Sequence, residues 1–344
     1  PKEGGVNKLI ISDKPGPFLG YEGAHLYKIN GKYYAFFIHT SPEKWIRIEA
    51  AFMADNIEGP WVGKDVISYY LDDTSGVAQG GIVDTPDGEW YGVIFGDRGA
   101  VGRIPNIVPM HFDETGFPVF DTPTVEIQTK STRPGYVYDS LFKSDDFNYS
   151  PDENGRVKLD EVWEFNHNPK PDYWSAGNGR FTLTTEKLAG NVEFSRNTLT
   201  QRAKYPRTSA YVSVDGSGLN DGDVAGMVML QWRYGIIGVA KEDSKYWLVM
   251  RARSGEGEHE NEDFEYARVP LSSGRATVKI TGSFSLNSSE AEFYYLDGDE
   301  WKKLGITVHP TFDLKHFVGC RIGLFAYSTI KTGGKASFEH FVYE

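Results

Sequence analysis

One cysteine, Cys320, stands in a chain of 344 residues, so no intrachain disulfide can form, and no CxxC or HExxH spacing suggests zinc. Positive charge is also scarce: 36 Lys and Arg face 48 Asp and Glu, a formal net charge of −12. An acidic surface repels a phosphate backbone, which excludes nucleic acid as a partner and leaves a neutral ligand unhindered. No stretch approaches the roughly 20 apolar residues that cross a bilayer as a helix, so no membrane partner is expected. The apolar periodicity of amphipathic helices is missing as well, which removes the parallel βαβ alternative. The opening PKEGG has neither an initiator Met nor a basic-then-apolar leader, and reads as a cut end.

What is present is aromatic and strand-like. The 14% share of Phe, Trp and Tyr favours strands over helices. From Leu9 to Val125 short runs such as AHLYKI, KYYAFFI, IRIEAAFMA, GGIVDT, EWYGVIF and NIVPMHF are separated by NGK, TSPEK, NIEGP, TPDGE and DETGFP, the rhythm of antiparallel sheets. The less apolar EIQTKSTRPGYVYDS predicts a linker at 129–140, between a first domain at 1–128 and a second at 141–344. In the second, segments such as SAYVSVD, VAGMVML, YGIIGVA, CRIGLFAY and ASFEHFVYE read as alternating in and out, and predict a two-sheet sandwich. The charged insert SGEGEHENEDFE reads as a solvated loop, with calcium binding the alternative, because its spacing does not match an EF-hand.

Glu22 begins a strand that turns at Asn30-Gly31. A lone carboxylate there is either a solvated turn residue or half of a catalytic pair. His25, three residues on, falls on the opposite face if the strand is regular.

Three stretches of the first part, EGAHLYKINGKYY, NIEGPW and AQGGIVDTPDGEWYGVIFGDRGAVGRIPNIVPMHFDETGFPV, taken together resemble glycoside hydrolase family 43. The second part, with SDDF, VWEFNHNP, RNTLTQR, GDVAGMVML and YGIIGV, is similar to the C-terminal sandwich of the family's β-xylosidases. The resemblance implies an all-β fold: the later blades of a five-bladed β-propeller, followed by a concanavalin-A-like β-sandwich. It implies an inverting exo-glycosidase that releases xylose or arabinofuranose from xylan-type oligosaccharides. Such an enzyme uses one protonated carboxyl group and one water-activating carboxylate, roughly 6.5–9.5 Å apart.

Carried over by position, Glu22 matches the general acid. An acid working at neutral pH needs desolvation beside apolar groups, and Glu22 follows Phe18 and Tyr21 and precedes an aromatic hairpin. Arg103 in GAVGRIP matches the arginine that reaches the terminal-sugar pocket, where its fixed donors suit hydroxyl pairs. AQGG stands where many members carry an axial histidine, either just before Gln79 or at it, and the Gln79 amide can hydrogen-bond in the channel. Arg321 in FVGCRIGLF replaces an aromatic that several β-xylosidases lend to the pocket rim; it either bonds sugar hydroxyls or is a solvent-facing strand residue. His39, Trp45 and Trp61 are aromatic candidates for a sugar-stacking rim, with packing the alternative. No cofactor is required, and a structural calcium on the propeller axis would find in Gln79 a poorer ligand than imidazole.

The family's general base and acid-tuning aspartates have no counterpart here. Asp13 is the only aspartate before Glu22, and nothing around it resembles either motif. The expected partners are therefore an oligosaccharide and an N-terminal fragment of the same enzyme, without which the active site is incomplete. The expected setting is periplasmic or extracellular. The alternative from another class is a non-catalytic carbohydrate-binding protein built on a lectin-like sandwich.

Overall fold

The computed structural model describes residues 3–5, 7–13, 20–41, 43, 45–68, 74–122, 131–313, 315–316 and 318–344. The chain divides into two compact units, the first formed by 1–98 with 103–137 and the second by 99–102 with 138–344. Of the expected linker at 129–140, residues 131–140 carry no strand and are exposed, while 129 and 130 lie outside the described residues. Among the described residues no helix is long and apolar enough to cross a membrane.

The first unit holds two four-stranded antiparallel meanders, each with the form of a propeller blade. One runs β1 (Glu22–Ile29), β2 (Lys32–Thr40), β3 (Arg47–Ala54) and β4 (Val62–Ile67); the other runs β5 (Val77–Asp84), β6 (Trp90–Asp97), β7 (Arg103–Phe112) and β8 (Pro118–Phe120). Their turns are those the sequence announces. Asn30 and Gly31 have φ of 50° and 85°, the left-handed pair that a two-residue hairpin matched to strand twist requires. Asp113 accepts the amides of Thr115 at 2.8 Å and Phe117 at 2.9 Å and so closes DETGFP. Tyr34, Phe36 and Ala51 of the first blade pack against Ile82, Met110 and Phe117 of the second. The opposite face of the first blade carries Phe37, His39 and Phe52 around Tyr21, with ring centroids 5.3 to 5.5 Å from it.

The second unit contains β9 (Glu164–Phe165), β10 (Trp174–Gly177), β11 (Arg180–Thr184), β12 (Leu199–Arg202), β13 (Arg207–Gly218), β14 (Asp223–Leu230), β15 (Tyr234–Glu242), β16 (Lys245–Arg253), β17 (Phe264–Leu271), β18 (Arg275–Phe284), β19 (Ser289–Asp297), β20 (Glu300–Lys303), β21 (Arg321–Ser328) and β22 (Lys335–Tyr343). They form two seven-stranded sheets, ordered β10-β11-β22-β13-β18-β19-β20 and β17-β16-β15-β14-β21-β12-β9. Val212, Ile280 and Phe338 of the first sheet share a core with Met227, Ile237 and Leu324 of the second.

Two expectations are corrected. Strand β13 does alternate, but β14 and β21 are buried at every residue. Their sheet is covered on both faces: its outer side packs Val228, Tyr234 and Phe325 against Ala189 and Val192 of the same unit, which is why these strands are near-continuous apolar runs. The charged insert is also not wholly solvated. Its Asp263 accepts a hydrogen bond from Tyr234 Oη at 2.8 Å and has its carboxyl pushed up by burial, and its last two residues, Phe264 and Glu265, open β17.

Candidate active site

The start of β1 departs from a regular strand. Glu22 pairs with Ile38 and His25 with Phe36, with a bulge between them, and Gly23 within it has φ 62°. Ile38 and Phe36 are two residues apart and share a face. The extra residue of the bulge therefore places Glu22 and His25 on the same face, contrary to the expectation for an unbroken strand. Glu22 is exposed. Of the two aromatics expected to shield it, Phe18 lies outside the described residues, and Tyr21 stacks on Phe37 at 5.4 Å on the other face. Asp13 accepts the Tyr21 N–H at 3.0 Å, which gives it a structural partner.

Gln79 marks a second bulge, between Ala78 and Gly80 of β5, and has φ 64°. This left-handed conformation is costly for a residue with a Cβ. It is held by the Gln79 N–H, donated to Glu49 Oε2 at 2.6 Å. The Gln79 side chain lies on Gly23 so closely that a Cβ at 23 would stand 2.3 Å from its Nε2. The left-handed φ favours glycine at 23, and a side chain there would have to displace that of Gln79. Gln79 Oε1 is buried without a hydrogen-bond partner among the described residues.

Glu49, on β3, was not singled out from sequence. It is 1% exposed, and burial pushes its carboxyl up to about 8, opposed by the Gln79 N–H. Glu22 and Glu49 both pair with Ile38 from either side, so the two carboxylates share a face, with backbones roughly 10 Å apart.

Arg103 opens β7 opposite Asp97, its guanidinium 4.5 Å from the centre of the Phe95 ring. Arg47 of β3 is ion-paired with Asp97 and lies 5.6 Å from the same ring. The two arginines thus flank Phe95 and Asp97, an arrangement that adds cation–π attraction to the ion pair. Glu22 and Gln79 therefore meet at Gly23, and Arg103 belongs to a neighbouring group with Arg47 and Asp97 in the same unit. Sequence reasoning missed Glu49, Arg47 and Asp97. The available signal was WIRIEAAF, two charges at i and i+2 on one face of an apolar strand, where burial demands partners.

The remaining candidates lie apart from these residues. His39 Nε2 is 2.8 Å from Asp65 on the far face, Trp61 donates its indole N–H to Ile57 O at 3.2 Å, and Trp45 is 52% exposed. Arg321 belongs to the second unit and is 8% exposed. Its Nε donates to Thr200 Oγ1 at 2.8 Å and its guanidinium is ion-paired with Glu164, so it is not the solvent-facing strand residue considered from sequence. Two open clefts of about 540 and 410 Å³ also lie in the second unit, lined by residues such as Thr208, Thr281 and Glu292 in one and Ser213, Thr277 and Glu339 in the other. Among the described residues no three His, Cys, Asp or Glu side chains converge so as to hold a metal ion.

The sequence family described as Beta xylosidase C-terminal Concanavalin A-like domain matches residues 151–344. The chain is 25% identical over 382 residues to a beta-xylosidase of Formosa agariphila, covering 95% of this chain and 60% of that protein. It is 26% identical over 190 residues to a putative beta-xylosidase of Xylanibacter ruminicola, covering 53% of this chain and 34% of that one. Among solved structures, a bifunctional GH43-CE protein of Bacteroides eggerthii superposes with a TM-score of 0.83 at 36% identity, over 98% of this chain and 43% of its own. A GH43 glycoside hydrolase engineered to display both endo-xylanase and exo-arabinofuranosidase activity gives a TM-score of 0.81 at 27% identity, over 95% of this chain and 65% of its own. The chain thus spans less than two thirds of the length of each of these relatives.

Proposed function

The chain belongs to glycoside hydrolase family 43, and from that premise we propose that it carries the general acid of an inverting exo-glycosidase acting on xylan-type oligosaccharides, releasing xylose, arabinofuranose or both. The observation that carries this reading is Glu22, exposed at a glycine bulge whose Cα is covered by the Gln79 side chain. Such a carboxyl group is open to a substrate while its backbone is fixed.

In this reading Glu22 protonates the leaving oxygen, and Arg103, steadied over Phe95, bonds hydroxyls of the terminal sugar. Gln79 contributes a buried amide next to the acid. Arg321 serves the sandwich framework, since Glu164 and Thr200 already engage its guanidinium. The water-activating carboxylate and the acid-tuning aspartate come from further polypeptide of the same enzyme, which also supplies the remaining blades. No cofactor is needed, and a periplasmic or extracellular setting suits a polymeric substrate. A second reading, carbohydrate binding without catalysis, draws on the hydroxyl-lined clefts of the sandwich.

Proton NMR of the first-formed sugar, with the full gene product and xylobiose or an arabinosylated xylo-oligosaccharide, tests the proposal. Inversion at the anomeric carbon is expected, and retention would overturn the mechanism. Glu22→Gln should lower turnover of such unactivated substrates by about 10²- to 10⁴-fold with sugar binding kept. Sugar binding by a wild-type gene product that has no turnover would favour the second reading.

A further inference from the structure

Resting on the glycosidase reading above, we propose that Glu49 is a positioning residue for the acid at Glu22, acting through Gln79 and Gly23. Glu49 is 1% exposed, so it does not touch substrate or water, and its effect has to pass through what it holds. It holds one strained residue. The Gln79 N–H is donated to Glu49 Oε2 at 2.6 Å, in a left-handed residue at a bulge where β5 breaks its ladder with β6. An ordinary strand residue there would bond β6 and need no buried carboxyl group.

The strain has a direction. Turned out of the ladder, Gln79 lays its side chain on Gly23, so closely that a Cβ there would stand 2.3 Å from Nε2 and force the amide aside. Gly23 is the bulge residue that puts Glu22 on the face it shares with Ile38 and Glu49. Glu49, Gln79, Gly23 and Glu22 therefore form one chain of contacts from a buried carboxyl group to an exposed one. A residue in a costly backbone conformation, fixed by a buried acid beside a reacting group, is the kind of local cost that a preorganised site retains.

The test compares wild type, Glu22→Gln, Glu49→Leu, Glu49→Gln and Gln79→Ala in the full gene product. The substrates are xylobiose, whose leaving group needs a proton, and 2,4-dinitrophenyl β-xyloside, whose leaving group does not. Glu22→Gln should lose at least about 100-fold in kcat on xylobiose and less than about fivefold on the aryl xyloside; that pattern validates the acid assignment on its own. Glu49→Leu and Gln79→Ala should each lose about 10- to 100-fold in kcat on xylobiose, with KM within about twofold and the aryl substrate within about threefold. Glu49→Gln keeps a carbonyl for the Gln79 N–H and should recover xylobiose turnover to within about fivefold of wild type.

Hydrogen exchange of the Gln79 amide reads the link without any activity: protection is expected in wild type and Glu49→Gln and lost in Glu49→Leu. If Glu49→Leu fails to fold, Gln79→Ala carries the kinetic arm and Glu49→Gln the exchange arm. Equal losses on both substrates in the Glu49 and Gln79 variants, or an unprotected Gln79 amide in wild type, would overturn the proposal. An absent leaving-group pattern in Glu22→Gln would instead overturn the glycosidase reading.

Discussion

Replacing Glu49 by glutamine should change the pH dependence of the first unit's stability in a direction fixed by burial. The carboxyl group moves from an ordinary 4.5 to about 8 in the folded chain. Between those values the unfolded chain has released a proton that the folded chain keeps, so stability is greatest below pH 4.5 and falls as pH rises through the folded value. The slope is about 1.4 kcal/mol per pH unit, and the whole window is worth about 5 kcal/mol. That figure is a ceiling, because a local opening that admits water to the carboxylate caps the cost at the free energy of opening. Glutamine keeps the volume and the acceptor for the Gln79 N–H but does not titrate. Urea unfolding of both proteins from pH 4.5 to 9 should show similar stabilities at the acid end and a variant more stable by about 2–5 kcal/mol at the alkaline end. The charged groups nearby, the Arg47–Asp97 pair and Glu22, are the same in both proteins and cancel in the difference. Parallel profiles, differing by less than about 0.5 kcal/mol throughout, would refute a neutral Glu49 in the folded state.

Other outcomes follow from single contacts. His39 is raised chiefly by its hydrogen bond to Asp65, so the pair stabilises the fold below pH 6.5 and the contribution is lost as pH rises through the folded value. Asp65→Asn should shift the His39 ring titration downwards by NMR and cost less than about 1 kcal/mol at pH 6, since the Asp65 side chain is 49% exposed. In the sandwich, Glu164→Ala leaves Arg321 buried without its ion-pair partner, only the Thr200 hydroxyl remaining, and should cost about 2–4 kcal/mol. Arg321→Met leaves only a half-exposed Glu164 and should cost less; the reverse order by thermal unfolding would contradict the burial of that guanidinium. Burial pushes the Cys320 thiol up, so it should resist alkylation in the native protein and react at an ordinary rate in urea.

Turn chemistry made the blades legible. Asn30-Gly31 and the Asp113 turn specify their backbone conformations locally, so strand limits on either side could be read from residue type alone. The face on which Glu22 lies could not be read in this way. It depends on one extra residue at Gly23, and a bulge leaves no mark in an alternation that has only just begun. The sandwich misled for a related reason: β14 and β21 lose their alternation because Ala189 and Val192 arrive from elsewhere to cover a face that would otherwise meet solvent.

Glu49 shows why a site is harder to read than the fold that carries it. Its strand fixes the direction of its side chain, but its burial requires a second blade, and its partner is a backbone amide, which no sequence motif encodes. The same holds for Arg47, whose charge is explained only when Asp97 is brought across from β6. Both charges sit on the β3 face that packs against the second blade, where hydrophobic residues would give the more stable joint. Beside that face lie a bulge and a left-handed glutamine next to an exposed carboxylate, and the buried Glu49 bonds the glutamine N–H. The stability given up at the joint is therefore the physical counterpart of the orientation gained at Glu22.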